Sequence, residues 1–275
     1  MLSTSLPATR LEIVPTEDIK PHEVADPARE RRIEGRIRED GVLRDPLIVG
    51  EVPNLEGYVL LDGTNRKQAL EALGVARTLV QVVDYADRSA VELGTWCHLA
   101  RVEMRSLLER AKSIPDIAVE KVAPLEAAEA LAAPRTISLV LDGDEGYAFR
   151  RQAECAESRA DTLRSFVDLY EELLTRVDCD PEEISTRARQ ADASSVLIAF
   201  PRFSRSQVVT MAARRLLVPA GITRHIILGG RALRVNVPLE ALRAPSIEEA
   251  REHFRRHLSA LRPRVYRETT ILYDS

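Results

Sequence analysis

The chain has 275 residues, of which 45% are hydrophobic and 30% charged, a balance typical of a globular protein with a buried core and long enough for two compact units. Its 39 basic and 43 acidic side chains give a formal net charge of -4, which argues against a basic nucleic-acid-binding protein. The three cysteines have no CxxC spacing, and neither a signal-peptide pattern nor an apolar run of about 20 residues occurs, so we expect a cytoplasmic protein without a disulfide scaffold, zinc knuckle or membrane span.

The first predicted unit spans residues 1–85 and alternates strands with helices, which indicates an α/β fold. Ile33 and Ile37, four positions apart and followed by Gly41, predict an amphipathic helix that begins near Pro27. Short apolar runs between turn residues predict the strands. The predicted strands are 11–14, 46–49, 57–61 and 78–83, and the predicted helices are 27–40 and 64–73.

The second predicted unit spans residues 86–275 and mixes strands with helices without an internal repeat, which indicates an α+β domain. Six apolar residues at helical spacing predict one long amphipathic helix over 158–177. Ser204 predicts the cap of another helix, and Gly229-Gly230 predicts the turn of a β-hairpin. The other predicted bounds are a hairpin of 136–141 and 147–149, a strand at 195–200, the helix 204–217, the hairpin strands 222–228 and 232–237, a helix at 248–261 and a strand at 265–273.

The segment Asp62-Gly63-Thr64-Asn65-Arg66 joins a predicted buried strand to a predicted helix. With Thr64 or Asn65 at the cap, the first N–H groups of the helix point outward and the helix dipole adds about half a positive charge, which suits a phosphate. Arg66 can add a bidentate contact, and Asp62 suits a divalent cation that bridges it to a phosphate. The alternative is a turn followed by a helix cap, with no ligand.

A second feature is an imbalance of charge in the second unit. Residues 193–239 contain no Asp or Glu but seven arginines. This concentration of positive charge suits an anionic ligand or a phosphate-rich partner. The alternative is a solvated arginine face that is compensated by acidic residues from elsewhere, such as those of 168–183.

Several motifs together resemble known families. IKPHE, RDPLIV, YVLLDGTNR with KQALEALG, and VQVVDY resemble the ParB/sulfiredoxin-type α/β domain. The rest of the chain, including VPAGITRHIILGGRALRVNVPLEAL, the Thr95-Trp96 pair and ISLVLDGDEGYAF, is similar to the free L-serine kinases, both the siderophore-pathway type and the archaeal ADP-dependent type. The resemblance implies a ParB/sulfiredoxin-like N-terminal domain, 1–85, that forms a cleft with a second α+β domain, 86–275.

The resemblance also implies an activity, the transfer of a phosphoryl group from ATP or ADP to the hydroxyl of L-serine with Mg²⁺. Glu23, which by itself is typical of a solvated loop, would be the general base. Asp62 would lie near the metal and the reacting groups. The remaining implied contacts are Gly63, Thr64, Asn65 and Arg66 with the nucleotide phosphates, and Trp96, Thr223, Arg224 and His225 with L-serine, with Arg224 as the partner of its carboxylate.

Other members of the superfamily provide the alternatives. A sulfiredoxin-type reductase needs a cysteine in the phosphate-site turn, and 62–66 contains none. A ParB-type nucleotide-dependent DNA-binding or regulatory protein needs a basic helix-turn-helix, for which the predicted helix 204–217 is the only candidate. Related turns often carry a histidine before the arginine, and Asn65 cannot carry charge at that position. We therefore expect L-serine and a nucleotide as partners, without nucleic acid or membrane, while the phosphate donor, any ligand sensing and the oligomeric state stay open.

Overall fold

A computed structural model of the chain describes residues 9–152, 156–178, 180, 183–192 and 194–265. Most of the predicted strand 265–273 lies outside the described residues. Within those ranges, no helix has the length and apolar character needed to cross a bilayer. The α/β fold class is confirmed, because two mixed layers of strands and helices pack around buried apolar cores.

The N-terminal layer is a five-stranded sheet in the order β1-β6-β4-β5-β2. The strand β4 runs parallel to β6 and antiparallel to β5. Only Gly63 separates the end of β5 from the second helix. The predicted strands and helices of this layer are confirmed. The bounds are β1 Arg10–Pro15, β2 Ile19–Lys20, β3 Val42–Leu43, β4 Leu47–Glu51, β5 Tyr58–Asp62, β6 Arg77–Asp84, α1 Pro27–Asp40 and α2 Thr64–Ala72.

The first helix has well-defined ends. Asp26 caps α1, since its side chain accepts hydrogen bonds from the N–H groups of Ala28 and Arg29, each at 3.0 Å. Gly41 ends the helix in the left-handed conformation with φ 66°, which glycine adopts without steric cost. The loop between β2 and α1 is thereby fixed at its C-terminal end, and this loop carries Glu23.

The second layer is a larger sheet built on the ten-residue strand β7, which pairs with β11, β12 and β13. Beyond β12, the order continues through β9 and β10 to β8. The predicted hairpin of β9 and β10 is confirmed. The bounds are β7 Val91–Ala100, β8 Ile117–Val122, β9 Thr136–Asp142, β10 Glu145–Arg151, β11 Leu174–Asp178, β12 Val196–Ala199, β13 Thr223–Ile227, α3 Met104–Ala111, α4 Ala127–Ala132, α5 Ala156–Val167, α6 Ile184–Gln190 and α7 Arg205–Arg214.

The C-terminal chain returns to the first layer. Val237, Leu242 and Phe254 are buried in the same apolar cluster as Ile13 and Leu79. The first core is therefore built from an N-terminal and a C-terminal part of the described chain. The unit bounds 1–85 and 86–275 stay a prediction. The elements of this segment are β14 Val237–Pro238, α8 Leu239–Leu242 and α9 Ile247–Ala260.

Two predicted elements are wrong. The predicted helix 158–177 ends at Val167, and residues 174–178 instead pair with β7 as β11. The predicted hairpin around Gly229-Gly230 does not form, because β13 pairs with β7 while β14 pairs with β3. The side chain of Gln81 replaces the hairpin ladder, since it donates to the carbonyl of Gly230 and accepts from the N–H of Ala232, both at 2.8 Å.

Candidate active site

The turn between β5 and α2 has the backbone shape expected of an anion site. Gly63 has φ 110°, and a Cβ on it would lie 3.1 Å from both Arg66 Nη2 and Leu47 Cγ, so a larger residue would crowd the turn. The helix α2 begins at Thr64 immediately after it, and its first N–H groups have no partners within the helix. The turn therefore offers backbone donors and a guanidinium group close together.

Asp62 is held by two arginines. Its Oδ2 accepts from Arg66 Nη2 at 3.0 Å and from Arg231 Nη1 at 2.7 Å, and Arg66 Nη1 also donates to the carbonyl of Pro46 at 2.9 Å. Burial alone would raise the pKa of Asp62, but the two guanidinium groups outweigh it and hold that pKa below its usual range. Asp62 is therefore a carboxylate at neutral pH.

Glu23 lies in a dense set of hydrogen-bond donors from the turn before β13. Its Oε1 accepts from the N–H of Ile222 at 3.1 Å and from the N–H and hydroxyl of Thr223 at 2.6 and 2.7 Å. Its Oε2 accepts from the N–H of Gly221 at 3.0 Å. The backbone on either side of Glu23 pairs with Val218 as well. The carboxylate is thus half-buried and tightly positioned.

Buried histidines extend this cluster toward the end of β5. Because the hydroxyl of Thr223 donates to Glu23, His22 Nε2, 2.8 Å from that oxygen, is the donor of their hydrogen bond. The rings of His22 and His225 lie edge to face at 5.5 Å, and the hydroxyl of Tyr85 lies 3.0 Å from His225 Nε2. Burial lowers the pKa of His22, and burial together with His22 lowers that of His225 to about 3. Both rings are therefore neutral at pH 7.

Two contacts join the Glu23 cluster to the 62–66 turn. Asn65 Oδ1 accepts from the backbone N–H of Asp26 at 2.8 Å, three residues after Glu23. Arg231, which pairs with Asp62, also donates to the carbonyl of His225 at 3.1 Å. The predicted base and the predicted phosphate turn therefore belong to one continuous site.

Trp96 and Arg224 lie apart from that site. The guanidinium of Arg224 lies 4.6 Å from the ring centroid of Trp96 and pairs with Asp178 of β11. Side chains alternate along a strand, so Arg224 points to the opposite face of β13 from Thr223 and His225. The structure brings Thr223 and His225 to Glu23 but not Arg224 and Trp96, and their predicted contacts with L-serine stay predictions.

The fit of a divalent cation depends on Asp62. No three His, Cys, Asp or Glu side chains among the described residues cluster as ligands for a metal ion. Two guanidinium groups already use Asp62 Oδ2, which leaves Oδ1 as the oxygen free of those bonds. Magnesium often needs only one or two protein carboxylates when phosphates supply the other oxygens. Asp62 Oδ1 therefore suits a metal that enters with a nucleotide.

A cavity of about 260 Å³ borders the Glu23 loop, between Val24 and Ala220. Three carboxylates and one guanidinium line it, so its charge favours a cation over a phosphate. The carboxylates are Asp161, Asp168 and Glu171.

Sequence reasoning missed several residues that build the site. The sequence did contain a signal for Arg231, which belongs to the arginine-rich stretch without acidic residues. It also contained one for Gly221, because a glycine shortly after a proline indicates a turn. Tyr85 ends the motif VQVVDY, but nothing in that motif links it to His225. Arg176 had no signal, because only the tertiary fold places it beside Gly221.

The chain is similar to curated proteins named ATP-dependent L-serine kinase. The one from Staphylothermus marinus is 31% identical over 111 residues, which make up 40% of this chain and 44% of the relative. The one named SbnI, from Staphylococcus aureus, is 24% identical over 252 residues, or 90% of each chain. The match thus spans less than half the length of the archaeal relative. No family model matches the chain.

Solved structures agree with the fold. C-terminally truncated SbnI from Staphylococcus aureus superposes with a TM-score of 0.71 at 21% identity, covering 90% of this chain and 95% of that chain. A free serine kinase in complex with AMP gives 0.70 at 19% identity, covering 85% and 94%. At these identities the likeness establishes the fold alone. Together with the curated relatives, it confirms the resemblance to the free L-serine kinases that the motifs indicate.

Proposed function

We propose that this chain is a free L-serine kinase, which transfers a phosphoryl group from ATP or ADP to the hydroxyl of L-serine and yields O-phospho-L-serine. The names of its relatives support the substrate and the nucleotide. The observation that carries the proposal is the continuity of the site. A fixed carboxylate, Glu23, is tied through Asp26 and Asn65 to a helix start with the features of a phosphate site.

In this proposal the nucleotide phosphates bind at the 62–66 turn. Gly63 allows close approach of the backbone, Thr64 and Asn65 contribute the first donors of α2, and Arg66 contributes charge. Magnesium, when bound with the nucleotide at Asp62, would neutralise phosphate charge. The serine hydroxyl lies near Glu23, and Thr223 and His225 line that side. Trp96 and Arg224 contact the substrate only if the pocket extends to the other face of β13.

The transfer step needs one proton acceptor and groups that neutralise the phosphate charge. As the serine oxygen attacks phosphorus, the bond to the leaving nucleotide oxygen breaks, and Glu23 takes the hydroxyl proton. Arg66 stabilises the charge on the transferred group. Phosphoryl transfer depends mostly on position and neutralised charge, so a base of ordinary strength is sufficient if it is correctly placed.

The test is to incubate the pure full-length protein with L-serine, Mg²⁺ and either ATP or ADP, and to measure O-phosphoserine by mass spectrometry. We expect product with at least one nucleotide. Glu23→Gln should lower turnover by roughly 10²-fold or more, the usual contribution of a positioned general base. Glu17→Gln makes the same change at an exposed glutamate of the same layer and should leave turnover unchanged.

Two results would contradict the proposal. The first is no phosphoserine with either nucleotide, together with tight, salt-dependent binding of duplex DNA, which would favour the ParB-type alternative. The second is equal turnover in Glu23→Gln and the parent protein, which would remove Glu23 from the mechanism.

A further inference from the structure

Residues 228–236 connect β13 to β14 without a helix or strand of their own, and we call them the 228–236 loop. The loop leaves one apolar core at Ile227 and enters the other at Val235 and Val237. Between these points it is exposed, and Gly230 has φ 86°, a conformation that glycine adopts without steric cost. A loop of this kind needs contacts from elsewhere in the chain to hold one shape.

Gln81 supplies such contacts. Its side chain is only 3% exposed, and its strand, β6, lies between β1 and β4. Its Nε2 donates to the carbonyl of Gly230 and its Oε1 accepts from the N–H of Ala232, both at 2.8 Å. Only one orientation of the amide satisfies both bonds, because the carbonyl can only accept and the N–H can only donate. The two partners flank Arg231, so Gln81 fixes the backbone of that residue.

Arg231 has donors to spare. Its Nη1 donates to Asp62 Oδ2 at 2.7 Å and its Nη2 to the carbonyl of His225 at 3.1 Å. A guanidinium has five N–H donors, so three are left without a partner among the described residues. The Arg66 side chain is 21% exposed against 40% for Arg231, and its Nη1 already donates to two backbone carbonyls. Arg231 is therefore the more open of the two arginines.

The charges at this point of the site do not balance. Arg66 and Arg231 donate to the same oxygen of Asp62, so two positive charges lie close together with one negative charge between them. The N-terminus of α2 adds partial positive charge beside them. This excess favours an anion with more than one negative charge, such as a terminal phosphate. The bond to His225 places Arg231 between the 62–66 turn and β13, on the side of the Glu23 cluster.

We propose that Arg231 binds the phosphoryl group during its transfer and that Gln81 positions Arg231 for this contact. The serine oxygen bonds to phosphorus, the bond from phosphorus to the leaving nucleotide oxygen breaks, and the hydroxyl proton goes to Glu23. Arg231 donates to the phosphoryl oxygens while negative charge develops on them. The inference rests on the proposed function and adds to it one residue that contacts phosphate and one that acts through it.

The first experiment measures binding by calorimetry, to the parent protein and to Arg231→Gln. A non-hydrolysable ATP analogue should bind roughly tenfold more weakly to the variant, because a charge-assisted contact to phosphate is lost. AMP lacks every phosphate that ATP or ADP could transfer, and it should bind both proteins equally. Arg234→Gln removes a positive charge from an exposed position of the same loop and should change either affinity by less than about twofold, because salt screens exposed charges.

The second experiment measures turnover. Arg231→Gln should lower kcat for phosphoserine formation roughly 10²-fold or more, the usual effect of losing one donor to the transition state. Gln81→Met keeps the length of the side chain without its two hydrogen bonds, and should lower kcat roughly tenfold with KM for L-serine near the parent's. In the double variant, Gln81→Met should lower kcat no further than Arg231→Gln alone, because it acts through Arg231. Gln81→Leu is the second variant if Gln81→Met folds poorly.

Several results would overturn the inference. Equal weakening of the analogue and AMP, or parent-like binding of both, would mean that Arg231 does not contact the transferred phosphate. Losses that multiply in the double variant would mean that Gln81 does not act through Arg231. Phosphoserine formation by the parent protein at a rate that Arg231→Gln retains would overturn this inference and leave the proposed function standing. No phosphoserine from the parent protein would overturn the proposed function, and the transfer role of Arg231 with it.

Discussion

His98 illustrates how a buried polar residue can be fully satisfied without charge. It is fully buried on β7, where its Nε2 donates to the carbonyl of Gly221 and its Nδ1 accepts from the hydroxyl of Tyr170 at 3.2 Å. This arrangement requires the neutral ring, because a protonated Nδ1 would face the hydroxyl hydrogen of Tyr170. Burial accordingly lowers the pKa of His98 to about 4.

That shift predicts a dependence of stability on pH. Between pH 6.5, the ordinary pKa, and about pH 4, the unfolded chain binds a proton at His98 that the folded chain does not. Stability should therefore fall as the pH falls through this window, by up to about 1.4 kcal/mol per pH unit, and should not change above it on account of His98. Urea unfolding across that range should give a shallower slope for His98→Gln than for the parent protein.

The slope, and not the absolute stability, is the informative quantity. His98→Gln removes buried hydrogen bonds and should destabilise the protein at every pH. His22 and His225 titrate in both proteins and cancel in the comparison. Equal slopes in the two proteins would mean that His98 is already protonated in the folded state or remains neutral in the unfolded one.

Individual site residues could be predicted from the sequence only where a local motif marked them. The 62–66 turn and the His22-Glu23 loop have such motifs. The partner of Glu23 does not, because Thr223 lies 200 positions later in the chain. Alternation along β13 separates Thr223 from Arg224, but the sequence alone does not tell which of the two faces the site.

Helices and strands could be predicted where their signals lie in the local sequence. The predictions were wrong where a strand pairs with a segment far away in the chain. Caps, glycine stops and short apolar runs predicted the N-terminal layer and the β9–β10 hairpin. The helical spacing correctly predicted a helix up to Val167. Residues 174–178 instead form backbone hydrogen bonds with β7. Hydrophobic periodicity does not indicate which distant strand a segment will pair with. The residues on either side of Gly229-Gly230 belong to two different cores, which prevents a local hairpin.

The start of α7 allows a test of local stabilisation. Ser204 caps this helix, accepting from the N–H of Gln207 at 3.2 Å while the Gln207 side chain accepts from the N–H of Ser204 at 2.8 Å. Ser204→Ala should lower the free energy of unfolding by about 1 kcal/mol. Ser259→Ala, which removes an exposed hydroxyl that bonds only to its own helix, should change it by less than about 0.5 kcal/mol.

Urea denaturation of the two variants and the parent protein measures both values. Ser204→Asp is the rescue, since aspartate is also a favourable cap and its charge suits a helix N-terminus. Equal losses in Ser204→Ala and Ser259→Ala would show that the cap contributes nothing beyond an ordinary surface hydroxyl.

Across the whole molecule, several arginines of the acid-free stretch join its parts. Arg205 donates to the carbonyls of Tyr85 and Val91, and Arg224 pairs with Asp178. Arg231 connects Asp62 to the backbone of β13. These contacts join parts of the same chain. Arginines on a solvated face or on a nucleic-acid surface would not need such contacts. The positive charge of these three arginines therefore acts within the protein, and Arg231 in particular joins the 62–66 turn to β13.

The link between Asn65 and Asp26 predicts that nucleotide and L-serine bind cooperatively. A nucleotide that orders the 62–66 turn also fixes the loop of Glu23 through this hydrogen bond, so each ligand should tighten the other's binding by the same factor. In the parent protein, a non-hydrolysable ATP analogue should strengthen L-serine binding about fivefold or more. Asn65→Ala should bring this ratio close to one, as measured by calorimetry with and without the analogue.

Asn65→Asp separates the coupling role of this side chain from its contact with phosphate. Aspartate keeps the oxygen that accepts from the N–H of Asp26, so the coupling ratio should persist. Its negative charge beside the phosphates should nevertheless weaken binding of the analogue itself. If Asn65→Ala kept the parent's ratio, or if Asn65→Asp lost the ratio together with nucleotide affinity, the hydrogen bond to Asp26 would not carry the coupling, and Arg231 would be the remaining described connection between the turn and β13.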